Sequence, residues 1–151
     1  MPEQETMERA KQDKREGKAP TTQAGEFIRE EMHHIREGKH GAQSTKQAIA
    51  IGLSKARRAG VDLPPPARGK TSEKTRRSAQ HAYREGQEHP KHKPSTKRSR
   101  AIVHALQREG TEAASPQALS AQAKQAAKKR SPTQRSASAH KAARTRWKKS
   151  R

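Results

Sequence analysis

Residues Ser44 to Gly60 read STKQAIAIGLSKARRAG, a single helix with both ends marked. Ser44 is placed to accept a hydrogen bond from the Gln47 amide, and Gln47 to reach back to the Ser44 amide, the reciprocal pair of a capping box. Ile49, Leu53 and Ala56 recur at helical spacing and predict the apolar face, with Ala48 and Ala59 at its margin. Gly60 supplies the left-handed residue that ends a helix, Val61 folds back toward Ala56, and Pro64, Pro65 and Pro66 prevent a restart. Arg57 and Arg58 fall in the last turn, where cations complement the helix dipole. With Lys46 and Lys55 they leave the outer face basic.

Residues 23–37 carry the next strongest apolar stripe, with Ile28, Met32 and Ile35 on one face and Phe27 beside it. The spacing predicts an α-hairpin over 23–60, closed by Ile28, Met32 and Ile35 against Ile49 and Leu53. Its apolar surface is small, so the pair would gain from a third helix or from self-association. Arg-Glu-Gly occurs at 15–17, 36–38, 84–86 and 108–110, and each glycine reads as a helix end. Residues 1–22 read as a polar arm holding at most a weak helix over 4–16, and residues 61–71 as a Pro-rich linker.

Large aliphatic and phenylalanine side chains number 12 of 151, about 8 %, where fewer than about 20 % with high net charge argues disorder. The expectation is therefore a mainly α protein of short helices with extensive disorder. The net charge of +20 is uneven: residues 1–60 hold 12 Lys/Arg against 9 Asp/Glu, residues 61–151 hold 23 against 6, and no acid follows Glu112. A long acid-free basic segment repels itself and attracts polyanions. Cysteine is absent, which excludes disulfides and thiolate metal sites. The charged N-terminal stretch lacks the apolar core of a secretory signal, and no run approaches a membrane span, so a cytoplasmic protein is expected.

From Ser72 the chain repeats its own plan, with Ser95-Thr96-Lys97 matching Ser44-Thr45-Lys46, and Ala101, Ile102 and Leu106 matching Ala48, Ile49 and Leu53. Lys91-His92 likewise matches Lys39-His40. The parallel predicts a second helical hairpin over 72–110. Residues 113–151 form a basic tail in which SPQALSAQAKQAAKKR (115–130) and SPTQRSASAHKAARTR (131–146) align without gaps. Serine at the N-cap and proline at N1 start each unit. The bodies favour helix but bury almost nothing, so they should become fully helical once phosphates neutralise their cations.

No Gly-rich phosphate loop or strand pattern is present, and Glu30 and Glu31 read as part of an exposed charged face, which argues against an enzyme. Glu30-x-x-His33 and Glu31-x-x-His34 have the helical spacing of carboxylate–histidine metal ligands, with His40 nearby. A full ligand set asks for a second such helix, and none is present, so the eight histidines read as solvent-exposed and no metal or other cofactor is expected. The cations predict nucleic-acid binding through phosphates, without sequence reading. The candidates are Lys46, Lys55, Arg57, Arg58, Arg76, Arg77, Lys97, Arg98, Arg100, Lys124, Lys128, Lys129, Arg130, Arg135, Lys141, Arg144, Arg146, Lys148 and Lys149, with Trp147 placed to stack on a base. Three aromatics in all make a poor stacking platform for single strands, so duplex DNA is favoured and structured RNA stays open.

The run Lys46-Gln47-Ala48-Ile49-Ala50-Ile51-Gly52-Leu53-Ser54 with Ala56-Arg57-Arg58, preceded by Met32-His33 and Lys39-His40-Gly41, resembles a family of small basic bacterial proteins of uncharacterised function, often labelled plasmid stabilisation proteins. The tail from Ser136 to Arg146 is similar in style to histone-like bacterial proteins and linker histones. These resemblances imply DNA association, nucleoid localisation or plasmid maintenance, and bring no catalytic residues. Two alternatives stand beside that reading: a hairpin at 23–60 that docks on a replication or partition protein, and an RNA- or ribosome-associated basic protein.

Overall fold

The computed structural model describes residues 2–88 and 95–150; His89, His92 and the Lys91-His92 match lie outside them. Among the described residues there are seven α-helices and no strand: α1 (Gln4–Arg15), α2 (Pro20–Arg36), α3 (Thr45–Arg58), α4 (Glu73–Glu88), α5 (Thr96–Gln107), α6 (Pro116–Lys128) and α7 (Pro132–Lys149), with a 3₁₀ turn at Glu112–Ala114. The mainly α class is as expected. The chain divides into two compact units, Met1–Ser115 and Pro116–Arg151.

In the first unit α2 is central, packed on one side by α1 and on another by α3, and α3 in turn carries α4. α2 and α3, which span the residues of the hairpin expected at 23–60, pack on each other in the middle of a four-helix arrangement. The N-terminal segment is not an arm: α1 buries Thr6, Ala10 and Asp13, and Met7 packs beside Ala10, Ala24, Phe27, Ala56 and Val61 in the core. Arg9 fixes α1 to α2 through Glu26, 2.7 Å away. Composition hides this helix because its buried face is mostly polar or small.

The local signals around α3 hold. The Ser44 hydroxyl accepts from the Gln47 amide at 3.2 Å, although the Gln47 side chain takes the Gln43 amide at 2.7 Å instead of that of Ser44. Gly60 is left-handed, with φ 86°, and the Val61 amide returns to the Ala56 carbonyl at 3.1 Å. Ser44→Ala should therefore cost about 1 kcal/mol in urea denaturation, the usual worth of a serine N-cap.

The buried face of α3 differs from the expected one. It is Thr45, Ala48, Gly52 and Ala56, a stripe of small residues at intervals of three and four, while Ile49, Ile51 and Leu53 are only partly buried. A Cβ at Gly52 would lie 2.7 Å from the Ile28 Cα, so here the two backbones nearly touch. Small side chains permit that approach, and the larger aliphatics flank the contact. On α2 the expected Met32 and Ile35 are buried together with Phe27, at 6, 0 and 1 % exposure, and Ile28 is half-buried.

The expected hairpin at 72–110 is not formed as a pair. α4 packs on α3 through Ala79, Ala82 and Gly86, and α5 buries none of its residues. Gly86 lies inside α4, where a Cβ would meet the Arg57 carbonyl oxygen at 1.8 Å, so it serves close packing and not a helix end. Gly17 and Gly38, with φ 69° and 72°, are the two Arg-Glu-Gly motifs that end helices as read; Gly110 is not left-handed. At the end of α5 and just beyond it, the Gly41 amide donates to the Leu106 carbonyl and the Ala42 amide to that of Gly110. The Thr45 hydroxyl and Arg36 then hold the carbonyls of Ala113 and Ala114 at 2.7 and 2.9 Å.

In the second unit α6 buries no residue, and every described side chain of α7 is exposed. α7 opens on a complete capping box, Ser131 with Gln134, and has Pro132 in its first turn, as the repeat predicts. Composition predicts extensive disorder across the chain, whereas the described residues are mostly helical. In the first unit the discrepancy has a physical source: alanine and glycine let backbones pack closely, and a count of large aliphatics misses that burial.

Candidate nucleic-acid interface

The predicted cations divide by unit. In the second, Lys124 and Lys128 lie one turn apart on α6, Lys129 and Arg130 follow in the turn, and Arg135, Lys141, Arg144, Arg146 and Lys148 are exposed along α7. Lys141, Arg144 and Lys148 are at i, i+3 and i+7 and share one face, while Arg135 and Arg146 share another. Trp147 is 57 % exposed, and Lys149 is the last residue of α7. No acid accompanies these cations, since residues 116–151 hold 11 Lys/Arg and no Asp/Glu.

In the first unit several predicted contacts are engaged internally. Arg57 is 7 % exposed; its Nε donates to the Leu63 carbonyl at 3.0 Å and its Nη2 to that of Pro64 at 3.4 Å. It clasps the Pro-rich segment, and burial holds its guanidinium below the usual arginine range. Lys55 points inward to Glu30 and Glu31, 3.2 and 2.7 Å away. Arg58 pairs with Glu85 at 2.9 Å, and Arg76 and Arg77 both reach Glu73. The Glu73 carboxylate is held below its ordinary range, first by the Arg76 hydrogen bond. Lys46 on α3 and Lys97, Arg98 and Arg100 on α5 remain exposed.

Sequence reasoning missed an ionic cluster between α2, α3 and the segment before α1. Glu30 and Glu31, expected on an exposed face, are 3 and 0 % exposed, where Glu3, His40 and Lys55 of α3 close on that side of α2. Glu30 accepts from the Glu3 amide at 3.0 Å as well as from Lys55. His34 Nε2 lies 2.8 Å from Glu3 Oε1, and His40 Nε2 lies 3.1 Å from Glu31 Oε1. Both rings are largely covered, at 13 and 15 % side-chain exposure, which corrects the reading of all histidines as solvent-exposed. Glu3 is held below the ordinary carboxylate range by His34 first and Lys39 second. Lys39 is raised, chiefly by Glu37. The Glu31-x-x-His34 spacing and the nearby His40 were the legible signals; the approach of Glu3 was not.

A family model described as a family of unknown function, DUF6496, matches residues 15–67, about a third of the chain. That stretch spans α2, α3 and the segment clasped by Arg57. No curated protein and no solved structure matches the chain.

Proposed function

We propose that this is a non-sequence-specific nucleic-acid-binding protein, with duplex DNA the favoured ligand and phosphate neutralisation the mechanism. The observation that carries this reading is the second unit, which holds 11 cations and no acids, most of the cations on two helices, α6 and α7, with almost no buried surface among the described residues. Cations on more than one face of α7 suit a polyanion met from several directions and give no base-reading surface. The first unit contributes less, because Lys55 and Arg57 are internal and Arg58, Arg76 and Arg77 are paired with carboxylates. Its exposed Lys46, Lys97, Arg98 and Arg100 add to the contact. Phosphate binding should also deepen the helicity of α6 and α7, whose self-repulsion it removes. In the cell this corresponds to a cytoplasmic, nucleoid-associated protein of the histone-like or plasmid-maintenance kind, and not an enzyme. Docking on a protein partner through the hairpin is less favoured, since Met32 and Ile35 are buried within the fold.

The test is a salt titration of binding to duplex DNA, single-stranded DNA and structured RNA of matched length. The slope for duplex should report about 6–10 neutralised phosphates. Replacing Lys124, Lys128, Lys141, Arg144 and Lys148 together with glutamine should lower that slope by about 4–5, near 0.9 for each lost contact. A truncation to residues 1–115 should lose most of it. An unchanged slope in these variants, or tighter binding to RNA than to duplex, overturns the respective part of the reading.

A further inference from the structure

We propose that Glu31, His34 and His40, with Glu3, form a binding site for a divalent transition-metal ion of the zinc type. Ligand atoms of Glu31, His34 and His40 all lie within 4.8 Å of one another. His40 Nε2 and Glu31 Oε1 are 3.1 Å apart, and His34 Nε2 and Glu3 Oε1 are 2.8 Å apart. Two ligand atoms on a tetrahedral zinc ion, at bond lengths of about 2.0–2.2 Å, are separated by about 3.3 Å. Two edges of the tetrahedron are thus near their final length, and the Glu31, His34 and His40 ligand atoms, within 4.8 Å of one another, must draw closer with Glu3 to complete it. The rings of His34 and His40 stand edge to face at 85° with centroids 6.0 Å apart, and are not stacked.

Two features set this cluster apart from an ordinary surface ion pair. His40 Nδ1 lies 3.1 Å from the Gly41 carbonyl oxygen, which can only accept, so when a metal ion takes Nε2 the remaining ring proton is held on Nδ1 and the Nε2 lone pair is free for the ion beside Glu31. A backbone carbonyl behind a histidine is the usual arrangement that fixes a metal-binding ring. The Glu31 carboxylate is fully buried, and no hydrogen bond reaches either of its oxygens. Lys55 and His40 are at ion-pair distance from it, without hydrogen-bond geometry. Lys55 lies against Oε2 and Oε1 turns toward the histidines, so a cation at Oε1 would meet a lone pair on both sides.

The missing ligand comes from the segment before α1 and not from a second helix. The Glu3 amide is anchored on Glu30, which holds its half-exposed carboxylate at the mouth of the cluster, where an ion can enter. Lys39 is 3.4 Å from Glu3 but also 3.0 Å from Glu37, so it can leave Glu3 without losing a partner. Imidazole and carboxylate donors suit zinc, cobalt(II) and nickel(II), and without a thiolate the set does not suit copper(I).

Chelator-treated full-length protein should bind one equivalent of cobalt(II) with the visible absorption of a four-coordinate nitrogen and oxygen site, displaced by zinc, and zinc should raise its melting temperature. His34→Ala and His40→Ala should each weaken binding about tenfold or more, given that even groups behind metal ligands are worth that much. His33→Ala and His104→Ala, at exposed positions, should bind as the parent does. Circular dichroism checks that the helices persist; if an alanine variant loses them, His34→Gln and Glu3→Gln carry the comparison. Absence of a stoichiometric site in the folded protein, or equal losses in the control variants, would mean that the cluster is an ion-pair network alone.

Discussion

Lys55→Met is expected to destabilise the first unit by about 3–5 kcal/mol, the cost of leaving a buried charge without its partner. The lysine side chain is 22 % exposed and the two carboxylates it serves are each 1 % exposed. Methionine fills a similar volume, so the loss would come from charge and not from a cavity. The two adjacent glutamates of α2 would then lie buried at the α2–α3 contact with only the Glu3 amide and His40 to offset them. Urea denaturation in the presence of chelator, so that no added cation stands in for the ammonium, measures the effect. Recovery of much of the loss in a Lys55→Met/Glu31→Gln variant would assign it to the carboxylate. A loss below about 1 kcal/mol, the range of an exposed pair, would place the cluster in solvent.

The second large effect runs against intrinsic preference. Glycine within a helix is less favourable than alanine by about 0.8–1.0 kcal/mol, so propensity alone makes Gly86→Ala and Gly52→Ala stabilising. Packing reverses the sign. At Gly86 the new Cβ would stand 1.8 Å from the Arg57 carbonyl oxygen, a backbone atom that cannot turn aside, so α4 must lift from α3. At Gly52 the obstruction is the Ile28 backbone at 2.7 Å. Overpacking of this kind costs about 1–3 kcal/mol, and the cost should be larger at Gly86, where the approach is closer. Gly25→Ala is the control: α2 holds this glycine with nothing within 4 Å of a Cβ, and here the propensity gain should appear in full. Stabilisation by all three substitutions would refute the close helix contacts.

These two cases show why part of the molecule was legible in the sequence and part was not. Ser44, Gly60, Gly17, Gly38 and the Ser131-Pro132 pair act on their own backbone, so a one-dimensional reading finds them. The face of α3 is a different matter: Thr45, Ala48, Gly52 and Ala56 carry little hydrophobicity, and the periodic signal came instead from Ile49 and Leu53 at the margin of the contact. A helix that packs through small residues is almost silent to apolar periodicity. Charged residues mislead for a related reason. Lys55, Arg57, Glu30 and Glu31 look like surface groups until α3 packs on α2, Glu3 closes over Glu30 and the Pro-rich segment returns to Arg57; α1 is itself concealed by a buried face of Thr6, Ala10 and Asp13. The proposed interface escaped this difficulty because it rests on a segment without acids, where no folding can supply an internal carboxylate partner.

Helices that meet through alanine and glycine also shape how the first unit responds to temperature. Heat-capacity change on unfolding follows the apolar surface newly hydrated, and polar exposure subtracts from it. A core whose largest fully buried side chains are Phe27, Ile35, Glu31 and Thr6 hydrates little hydrocarbon per residue released. Its increment should therefore fall below the usual 12–15 or so cal/mol/K per residue. The stability curve is then shallow: the fold loses little on cooling, gains little at its optimum, and melts over a broad interval.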